Sequence, residues 1–523
     1  MRPGFRSGLV AGALALFVSF LARLFLGWVY LPELGAQTFY SIIPGWLESM
    51  LIQVMGEAGK YSAVLGATLV NLALFGFMGL ASEYLVGKPA WRRGLVMMAI
   101  SYITLIGVSA ILLIFNQIYR GGVVWPLLQL LIPSIIYAST ITWIMKPTIV
   151  SCPTPTRPKI LHRRRLLIKS AAAGAVATAL LLYGLDILFR DRGAGVPGGG
   201  SVESSKDIFS SSAVKPLLDN EVTPTDLFYR VDINFLTPKI DASMWSLRIH
   251  GLVEKEITLT YPELTSLPSV EEYVTLECVS NTVDGDLIST AKWRGVPLKI
   301  LLDLAGLSEG ADYIVFKCRD GYDVGIPLER GLMDTCILAY EMNDEPLPPE
   351  HGFPVRAIVP GLYGMMNAKW VEEIEIVGKE YKGFWQRKGW TNKAEYKTRS
   401  MIVIPGDAPV RRRFRGLGEG SREIPKDRTI IAGIAFAGDR GVEKVEVSVD
   451  GGKTWEEASI KDPLSNLTWV IWAAEWTPTQ AGPHKVVVRA YDGKGRVQEA
   501  KVTPPFPEGA TGYHVLEIRV IEK

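Results

Sequence analysis

The cysteine at position 278 ends an apolar, strand-like run and is followed at once by small polar residues, in the stretch YVTLECVSN (273–281). Three roles fit such a residue. An isolated cysteine is usually a buried packing residue. A second cysteine in an oxidising compartment could pair with it in a disulfide, and a thiolate at a strand end can also be a metal ligand. The stretch alone leaves all three roles open.

The other cysteines and the histidines limit the metal chemistry. The chain has three further cysteines, Cys152, Cys318 and Cys336, and only five histidines. No CxxC or CxxCH spacing and no His-rich stretch occurs. We therefore expect no zinc, iron–sulfur or c-type haem site. The formal net charge of +2 also gives no indication of a nucleic acid partner.

Several longer stretches around Cys278 are more specific. They are, in chain order, TLECVSN (275–281), GDLISTAKWRGVPL (285–298), the segment beginning LAYEMNDEPLPPEHGFPVR and ending MMNAKWVEEIEI (338–376), and FWQRKGW (384–390). Together they resemble the molybdenum domain of the sulfite oxidase family, and the C-terminal strands resemble that family's dimerisation domain. The resemblance covers about residues 225–523.

The resemblance implies a molybdenum ion held by the two dithiolene sulfurs of one molybdopterin and by one protein thiolate. Cys278 occupies the position of that thiolate, which makes it the metal ligand and a catalytic residue. A soft, deprotonated sulfur suits such a site. The positions that hold the pterin and its phosphate in the family correspond here to His351, Arg356 and Lys369. Without this context, HGFPVR could equally be a turn into a strand with its charges in solvent.

The substrate positions depart from the sulfite-oxidising relatives, which surround the oxo group with arginines and a tyrosine. Arg230, in LFYRVDIN, keeps the first arginine, but Val283 and Trp390 stand where a second arginine and the tyrosine are expected. An oxyanion would therefore meet less positive charge and one hydroxyl donor fewer. We predict that Arg230 and Trp390 are catalytic residues in the pocket. The alternatives are an ion pair of Arg230 with Asp226 and a packing role for Trp390.

Two folded domains must position these residues. Short β-branched runs separated by turns, with one helical pattern at LKILLDLAGL (298–307), predict an α+β molybdopterin-binding domain over residues 211–425. From about residue 428 only strand patterns follow, with Asp-Gly turns between them. They predict an all-β, immunoglobulin-like sandwich of the dimerisation type over residues 426–523.

The first third of the chain is dominated by apolar runs. Five are long enough to cross a bilayer as helices, at about 8–31, 62–86, 94–118, 123–145 and 166–189. A shorter run at 38–55 is interpreted as interfacial or re-entrant. We therefore predict an α-helical membrane region over residues 1–190, joined to the soluble part by a flexible Gly/Ser-rich linker over 191–210.

Basic residues predict the orientation of this region. They cluster before the first span, between the second and third spans, and before the fifth, all on one side. That side should be cytoplasmic, which leaves the catalytic domain outside the cytoplasm. The fifth span, together with the arginines just before it in RRRLLIKSAAAG, resembles a twin-arginine export signal. The alternative is that its arginines only obey the positive-inside rule.

Two classes of function follow. The first is a membrane-anchored molybdenum oxidoreductase that moves an oxygen atom and two electrons to or from a small oxyanion or an S- or N-oxide, with sulfite as one candidate. The second is a non-catalytic surface or assembly protein that keeps the fold for binding. No histidine lies in a predicted span, so we expect no haem and a separate redox partner, such as a cytochrome or quinone. A homodimer is compatible with the resemblance.

Overall fold

The structure is a computed structural model of the chain. It describes residues 2–26, 28, 30–47, 50–51, 58–85, 89–115, 128–145, 208–234, 237–405, 414 and 422–522. The chain divides into two compact units, one formed by residues 1–43 and 54–194 and the other by residues 44–53 and 195–523. The predicted fifth span with its arginines, and most of the predicted linker, lie outside the described residues.

The first unit is helical. Its helices are α1 (Pro3–Leu26), α2 (Leu31–Ile42), α3 (Ala58–Ala81), α4 (Ala90–Phe115) and α5 (Leu131–Ile144). Among the described residues, three helical stretches are long and apolar enough to cross a membrane: Pro3–Leu26, Ser62–Leu85 and Trp91–Ser109. They correspond to the first three predicted spans. The helix in the predicted fourth span, α5, is apolar but has only 14 residues.

The predicted boundaries near the first span need correction. The first helix covers Pro3–Leu26 rather than 8–31, because a separate helix begins at Leu31 with a proline in its first turn. Proline is well suited to that position, since its missing N–H would have no partner there. This second helix takes up the beginning of the 38–55 run and ends at Ile42, just before Pro44.

The second unit begins with the α+β domain. Its strands are β1 (Ser246–Gly251), β2 (Ile257–Thr260), β3 (Val270–Glu277), β4 (Ile288–Pro297), β5 (Tyr313–Cys318), β6 (Asp323–Pro327), β7 (Ile337–Met342), β8 (Glu345–Pro346), β9 (Arg356–Ile358) and β10 (Val371–Val377). Its helices are α6 (Lys215–Asp219), α7 (Tyr261–Thr265), α8 (Leu298–Ala305), α9 (Leu328–Gly331) and α10 (Phe384–Arg387). One sheet has the order β2-β1-β10-β5-β6, and the other has the order β3-β4-β7-β8 with β9 beside β7.

The helix predicted at 298–307 is confirmed as α8. Its apolar face, which includes Leu298, Leu301 and Leu302, is completely buried. The helix ends at Gly306, whose φ of +67° is a conformation that glycine adopts without the cost that a side chain adds.

The C-terminal domain consists of two packed sheets. Its strands are β11 (Arg399–Ile404), β12 (Glu423–Pro425), β13 (Thr429–Phe436), β14 (Val442–Ser448), β15 (Glu456–Glu457), β16 (Ser459–Ile460), β17 (Val470–Trp476), β18 (Gly482–Asp492) and β19 (His514–Ile521). One sheet has the order β11-β13-β17-β16 and the other β12-β19-β18-β14-β15. The predicted fold class of apolar helices, an α+β domain and an all-β sandwich is confirmed, while the immunoglobulin-like topology stays a prediction.

The sandwich begins earlier than the predicted residue 426. Strand β11 pairs along its length with β13, so it belongs to the sandwich although it precedes that boundary. Its sequence, RSMIVI, has no Asp-Gly turn beside it, and a polar, arginine-containing stretch separates it from the later strands. The strand pattern from 428 onward therefore could not include it.

The sheet that contains β11 and β13 is buried on both faces. Ile402 and Ile431 pack between the two sheets of the sandwich. Met401 and Ile434 belong instead to the core of the α+β domain. Because successive side chains of a strand point to opposite faces, this sheet is shared between the two domains. Residues at the start of β11 are thus brought close to the α+β domain.

Candidate active site

Cys278 follows the last residue of β3 and begins the turn that leads to β4. Its amide donates to the carbonyl of Leu287 at 3.0 Å, and its own carbonyl accepts from the amide of Asn281 at 3.0 Å. The side chain is buried, and the hydroxyl of Ser280 lies 3.0 Å from its sulfur. Burial raises the pKa of the thiol, so the free group is protonated at neutral pH. Coordination to a metal ion would deprotonate it.

The cysteine faces a cavity with about 830 Å³ of empty space, part of it open to solvent. The predicted site residues that line the cavity are Cys278, His351, Arg356, Lys369 and Trp390. Residues separated by more than 110 positions in the chain thus share one site. Arg230 is not among the lining residues, although its neighbours Tyr229 and Val231 are.

Arg356, the first residue of β9, is a buried cation in this cavity. It donates to the carbonyls of His351 at 3.1 Å and Asn367 at 3.3 Å, and its guanidinium stacks 4.9 Å from the ring centroid of Trp293. Burial lowers its pKa to about 10, which still leaves it charged at neutral pH. Among the described residues no carboxylate pairs with it, and its buried Nε has no hydrogen-bond partner.

His351 lies in the turn that precedes Arg356. Its Nε2 is 3.2 Å from the carbonyl oxygen of Thr225, and its ring packs edge-on against Phe228. Burial, followed by the charges of Lys369 and Arg356, lowers the pKa of His351 to about 3. The imidazole is therefore neutral at physiological pH and offers one N–H donor and one acceptor rather than a charge.

Asp232 lies between two of the cationic side chains. Its carboxylate accepts from Arg230 Nε at 2.8 Å and from Lys369 Nζ at 3.2 Å, and its side chain is only 1% exposed. Arg230 also donates to Thr237 at 2.9 Å. Burial lowers the pKa of Lys369 to about 8, and the nearby Asp232 acts in the opposite direction. The positive charge of this part of the site is thus partly neutralised by the protein itself.

Trp390 follows α10 and forms an aromatic wall of the cavity. Its ring packs edge-on against Phe506 of the sandwich, with 5.1 Å between ring centroids. Its Nε1 is buried and has no hydrogen-bond partner among the described residues. The side chain combines the packing role and the pocket role that the sequence left open, but it offers no hydroxyl.

Sequence reasoning missed several polar residues of the cavity. Asp320 lines it, accepting from Asn234 at 2.8 Å and from the amide of Tyr322 at 3.0 Å. Burial raises the pKa of Asp320 to about 6, although these hydrogen bonds act against the shift. Ser280 is another residue that was missed. Its spacing from the cysteine, in ECVSN, was the available signal, whereas the DGY stretch at Asp320 looked like an ordinary turn.

The residues fit an anionic pterin cofactor. A buried guanidinium that lacks a carboxylate partner is costly unless an anion compensates its charge. Arg356 meets this description among the described residues, and Lys369, whose side chain is 11% exposed, supplies a second cation. A narrow cradle is also present, because a Cβ added to Gly364 would lie 2.3 Å from the hydroxyl of Tyr229. When bound, molybdopterin would contact these groups, and its metal would take the Cys278 thiolate as a ligand.

Comparisons with known proteins identify the family. A family model described as an oxidoreductase molybdopterin binding domain matches residues 234–385, and one described as a Mo-co oxidoreductase dimerisation domain matches residues 394–505. The oxidoreductase YuiH of Bacillus subtilis (strain 168) is 34% identical over 150 residues, which cover 29% of this chain and 74% of YuiH. The chain belongs to the sulfite oxidase family of molybdopterin-dependent oxidoreductases.

Two further matches show how much of the chain the family resemblance covers. Mitochondrial sulfite oxidase of Rattus norvegicus is 30% identical over 324 residues, which cover 55% of this chain and 59% of that enzyme. The chain thus spans about three fifths of the length of that relative. The solved structure of the sulfane dehydrogenase SoxCD from Paracoccus pantotrophus, at 21% identity, aligns with a TM-score of 0.50 over 63% of this chain and 96% of that chain. The chain therefore has the fold of this family, and its C-terminal part matches the family's dimerisation domain.

Proposed function

We propose that this protein is a membrane-anchored molybdenum oxidoreductase whose catalytic domain lies outside the cytoplasm. It would move an oxygen atom and two electrons to or from a small substrate. One observation carries the proposal: Cys278, at the end of β3, faces a cavity that also holds the buried cation Arg356, which has no carboxylate partner among the described residues. The three apolar helical stretches support the membrane anchor.

The bound cofactor supplies the metal that exchanges an oxygen atom with the substrate and takes up or releases two electrons. The protein's part is to hold and orient the reactants. The Ser280 hydroxyl, 3.0 Å from the sulfur, would donate to the Cys278 thiolate and hold it in place. Arg356 and Lys369 would bind the anionic groups of the cofactor. Neutral His351, whose Nε2–H donates to the carbonyl of Thr225, would accept a single hydrogen bond at Nδ1.

The preferred class of substrate follows from the charges near the cavity. Asp232 neutralises Arg230, and the cavity wall at Trp390 has no hydroxyl. A sulfite-type oxyanion would meet fewer compensating donors here than an arginine- and tyrosine-lined site offers. A neutral S- or N-oxide needs less positive charge, so we place it ahead of sulfite among the candidate substrates. Asp320, which lines the cavity, would exchange one of the two protons that accompany the oxygen atom and two electrons, because its pKa of about 6 lies close to neutral pH.

Metal analysis tests the enzymatic part of the proposal. The full-length chain is expressed in a host that makes molybdopterin, and molybdenum is measured per polypeptide. We expect a ratio near one. A preparation without molybdenum would refute the proposal and leave the non-catalytic binding role. A screen of sulfite, sulfoxides, N-oxides and nitrate with dye acceptors and donors then identifies the substrate and the direction of electron flow.

Localisation needs a separate test, because the helices do not determine the side on which the catalytic domain lies. Fusing an alkaline phosphatase reporter, which is active only outside the cytoplasm, after residue 210 distinguishes the two sides. We expect an active reporter. An inactive reporter in an expressed fusion would contradict the extracytoplasmic location. Absorption spectra of the full-length chain, without the reporter, test whether a haem is present. If no haem is present, electrons would need a separate carrier such as a cytochrome or quinone.

A further inference from the structure

The C-terminal sandwich reaches the candidate active site through one arginine. Arg399 is the first residue of β11, within the segment that matches the dimerisation domain. Its partner Glu277 is the last residue of β3, next to Cys278 and within the molybdopterin-binding segment. The two side chains form an ion pair and are only 9% and 4% exposed. A buried contact between the two domains thus lies directly beside the thiol.

Arg399 also contacts the turn on the other side of the cysteine. Its Nη1 donates to Glu277, while its Nη2 donates to the carbonyl oxygens of Thr282 at 2.8 Å and Val283 at 2.6 Å. One planar guanidinium therefore bridges the residue before Cys278 and two residues shortly after it. Lysine, with a single nitrogen, could not make the same set of contacts.

Further hydrogen bonds close this arrangement. The amide of Glu277 donates to the hydroxyl of Tyr396, at 3.3 Å. Asn281 donates to the Glu277 carboxylate at 3.1 Å and accepts from the amide of Leu287 at 3.0 Å. The turn between β3 and β4 is thus connected from both ends to residues of the sandwich.

Stability alone is a weak explanation for this network. A buried ion pair is often no more stabilising than an apolar pair of the same size, because both charges lose their hydration. Contacts to main-chain carbonyls, by contrast, fix the position of a turn, and a metal ligand must be held to within about 0.5 Å of its productive position. Without Arg399, moreover, the Glu277 carboxylate would keep its hydrogen bond from Asn281 but would carry an uncompensated charge beside the thiolate.

We propose that Arg399 is a positioning residue for Cys278, which makes the sandwich a structural part of the active site as well as a dimerisation domain. The role of Cys278 as metal ligand rests on the proposed function. The position of the turn does not, so it is measured separately.

Hydrogen exchange tests the positioning. In the full-length chain, Arg399→Lys should speed exchange in the peptide that covers residues 278–287 by about 10-fold, because the lost contacts allow this turn to open locally. Peptides from β13 and β17 should change by less than about 2-fold. Arg489→Lys is the matched control, since Arg489 pairs with Glu446 at 2.6 Å within the sandwich. It should leave the exchange of 278–287 unchanged.

Two outcomes would overturn the proposal: unchanged exchange at 278–287, or equally faster exchange throughout the sandwich, which would indicate a purely structural role. If Arg399→Lys does not fold, Glu277→Gln removes the charge from the same pair and should still speed exchange at the turn. Where the chain contains molybdenum, Arg399→Lys should also alter the electron paramagnetic resonance signal of Mo(V) and lower kcat by about 10-fold with little change in KM. A wild-type chain without molybdenum would refute the proposed function, while the exchange result would still decide the positioning.

Discussion

Two arginines of the α+β domain lie near the same cavity in opposite electrostatic situations. Arg356, at the start of β9, is buried and donates only to main-chain carbonyls among its hydrogen bonds to described residues. Arg230, in the loop before β1, donates to a carboxylate, that of Asp232. An arginine without a paired carboxylate is suited to an anionic ligand, whereas a paired one is largely satisfied. The contrast therefore supports an anionic cofactor at Arg356 and leaves the charge of the substrate less defined near Arg230.

Replacing Cys278 should have the largest effect. Cys278→Ala removes the thiolate without leaving a large cavity, so turnover should fall by about 10³-fold, the scale expected when a group at the reacting centre is lost. The melting temperature should change little. Cys336→Ala is the matched control, because Cys336 is also buried but lies in the domain core, away from the cavity. Near-normal activity of Cys278→Ala, with the substrate identified by the screen, would contradict the assignment.

The pH dependence of stability should report on Asp320. Its pKa of about 6 in the folded chain exceeds the ordinary value of 3.8, so the folded state favours the protonated acid. This contribution is complete below pH 4 and is lost as the pH rises through 6, at a cost of about 3 kcal/mol. The Asp320→Asn variant cannot titrate at this position, so it should not lose stability in this way. Denaturant unfolding at pH 4 and pH 7 should therefore show the variant gaining stability relative to wild type as the pH rises. An identical difference at both pH values would mean that Asp320 does not titrate in this range.

Arg356 should matter for cofactor retention. Arg356→Met removes the buried charge while keeping much of the packing, and should weaken retention of the cofactor by about 10- to 100-fold, the range for charge-assisted hydrogen bonds. Molybdenum per chain after dialysis measures this. Arg248→Met is a suitable control, because Arg248 is half-exposed and pairs with Glu256 away from the cavity residues. Equal molybdenum in both variants would show that Arg356 does not hold the cofactor.

Replacing Asp232 would remove the carboxylate that distinguishes Arg230 from Arg356. Asp232→Asn removes the charge that neutralises Arg230 and Lys369, so an oxyanion should bind better, with KM for sulfite falling by about 10-fold. The KM for an uncharged sulfoxide should change much less. Steady-state kinetics with both substrates at one ionic strength make the comparison. Parallel changes for the two substrates would indicate that Asp232 does not set the charge preference.

The sequence predicted the two domains, and five of its six predicted site residues line the cavity, for identifiable reasons. Cys278, His351 and Arg356 stand in stretches whose order and spacing were specific. The ion pair of Arg230 with Asp232 was harder to predict, because the sequence suggested Asp226 as the carboxylate partner. Burial of Asp320 and the reach of Arg399 depend on tertiary packing, which local patterns do not encode. Strand β11 was missed for the same reason, since its partners lie beyond a polar stretch.

Replacing Trp390 should have the smallest effect on activity, and it tests whether a hydroxyl at this wall favours oxyanion substrates. Trp390→Tyr introduces a hydroxyl on an aromatic ring of smaller size, so any gain should be specific to substrates that accept a hydrogen bond at that wall. We expect kcat/KM for sulfite to rise by about 3-fold, because one neutral hydrogen bond contributes little and the smaller ring loses some packing against Phe506. Trp390→Phe, which loses the same packing but gains no hydroxyl, is the control, and the ratio of the two variants isolates the hydroxyl. A ratio of one for sulfite would show that the wall at Trp390 acts by shape alone, in which case the charge on Asp232 would have to account for the discrimination between oxyanions and neutral oxides.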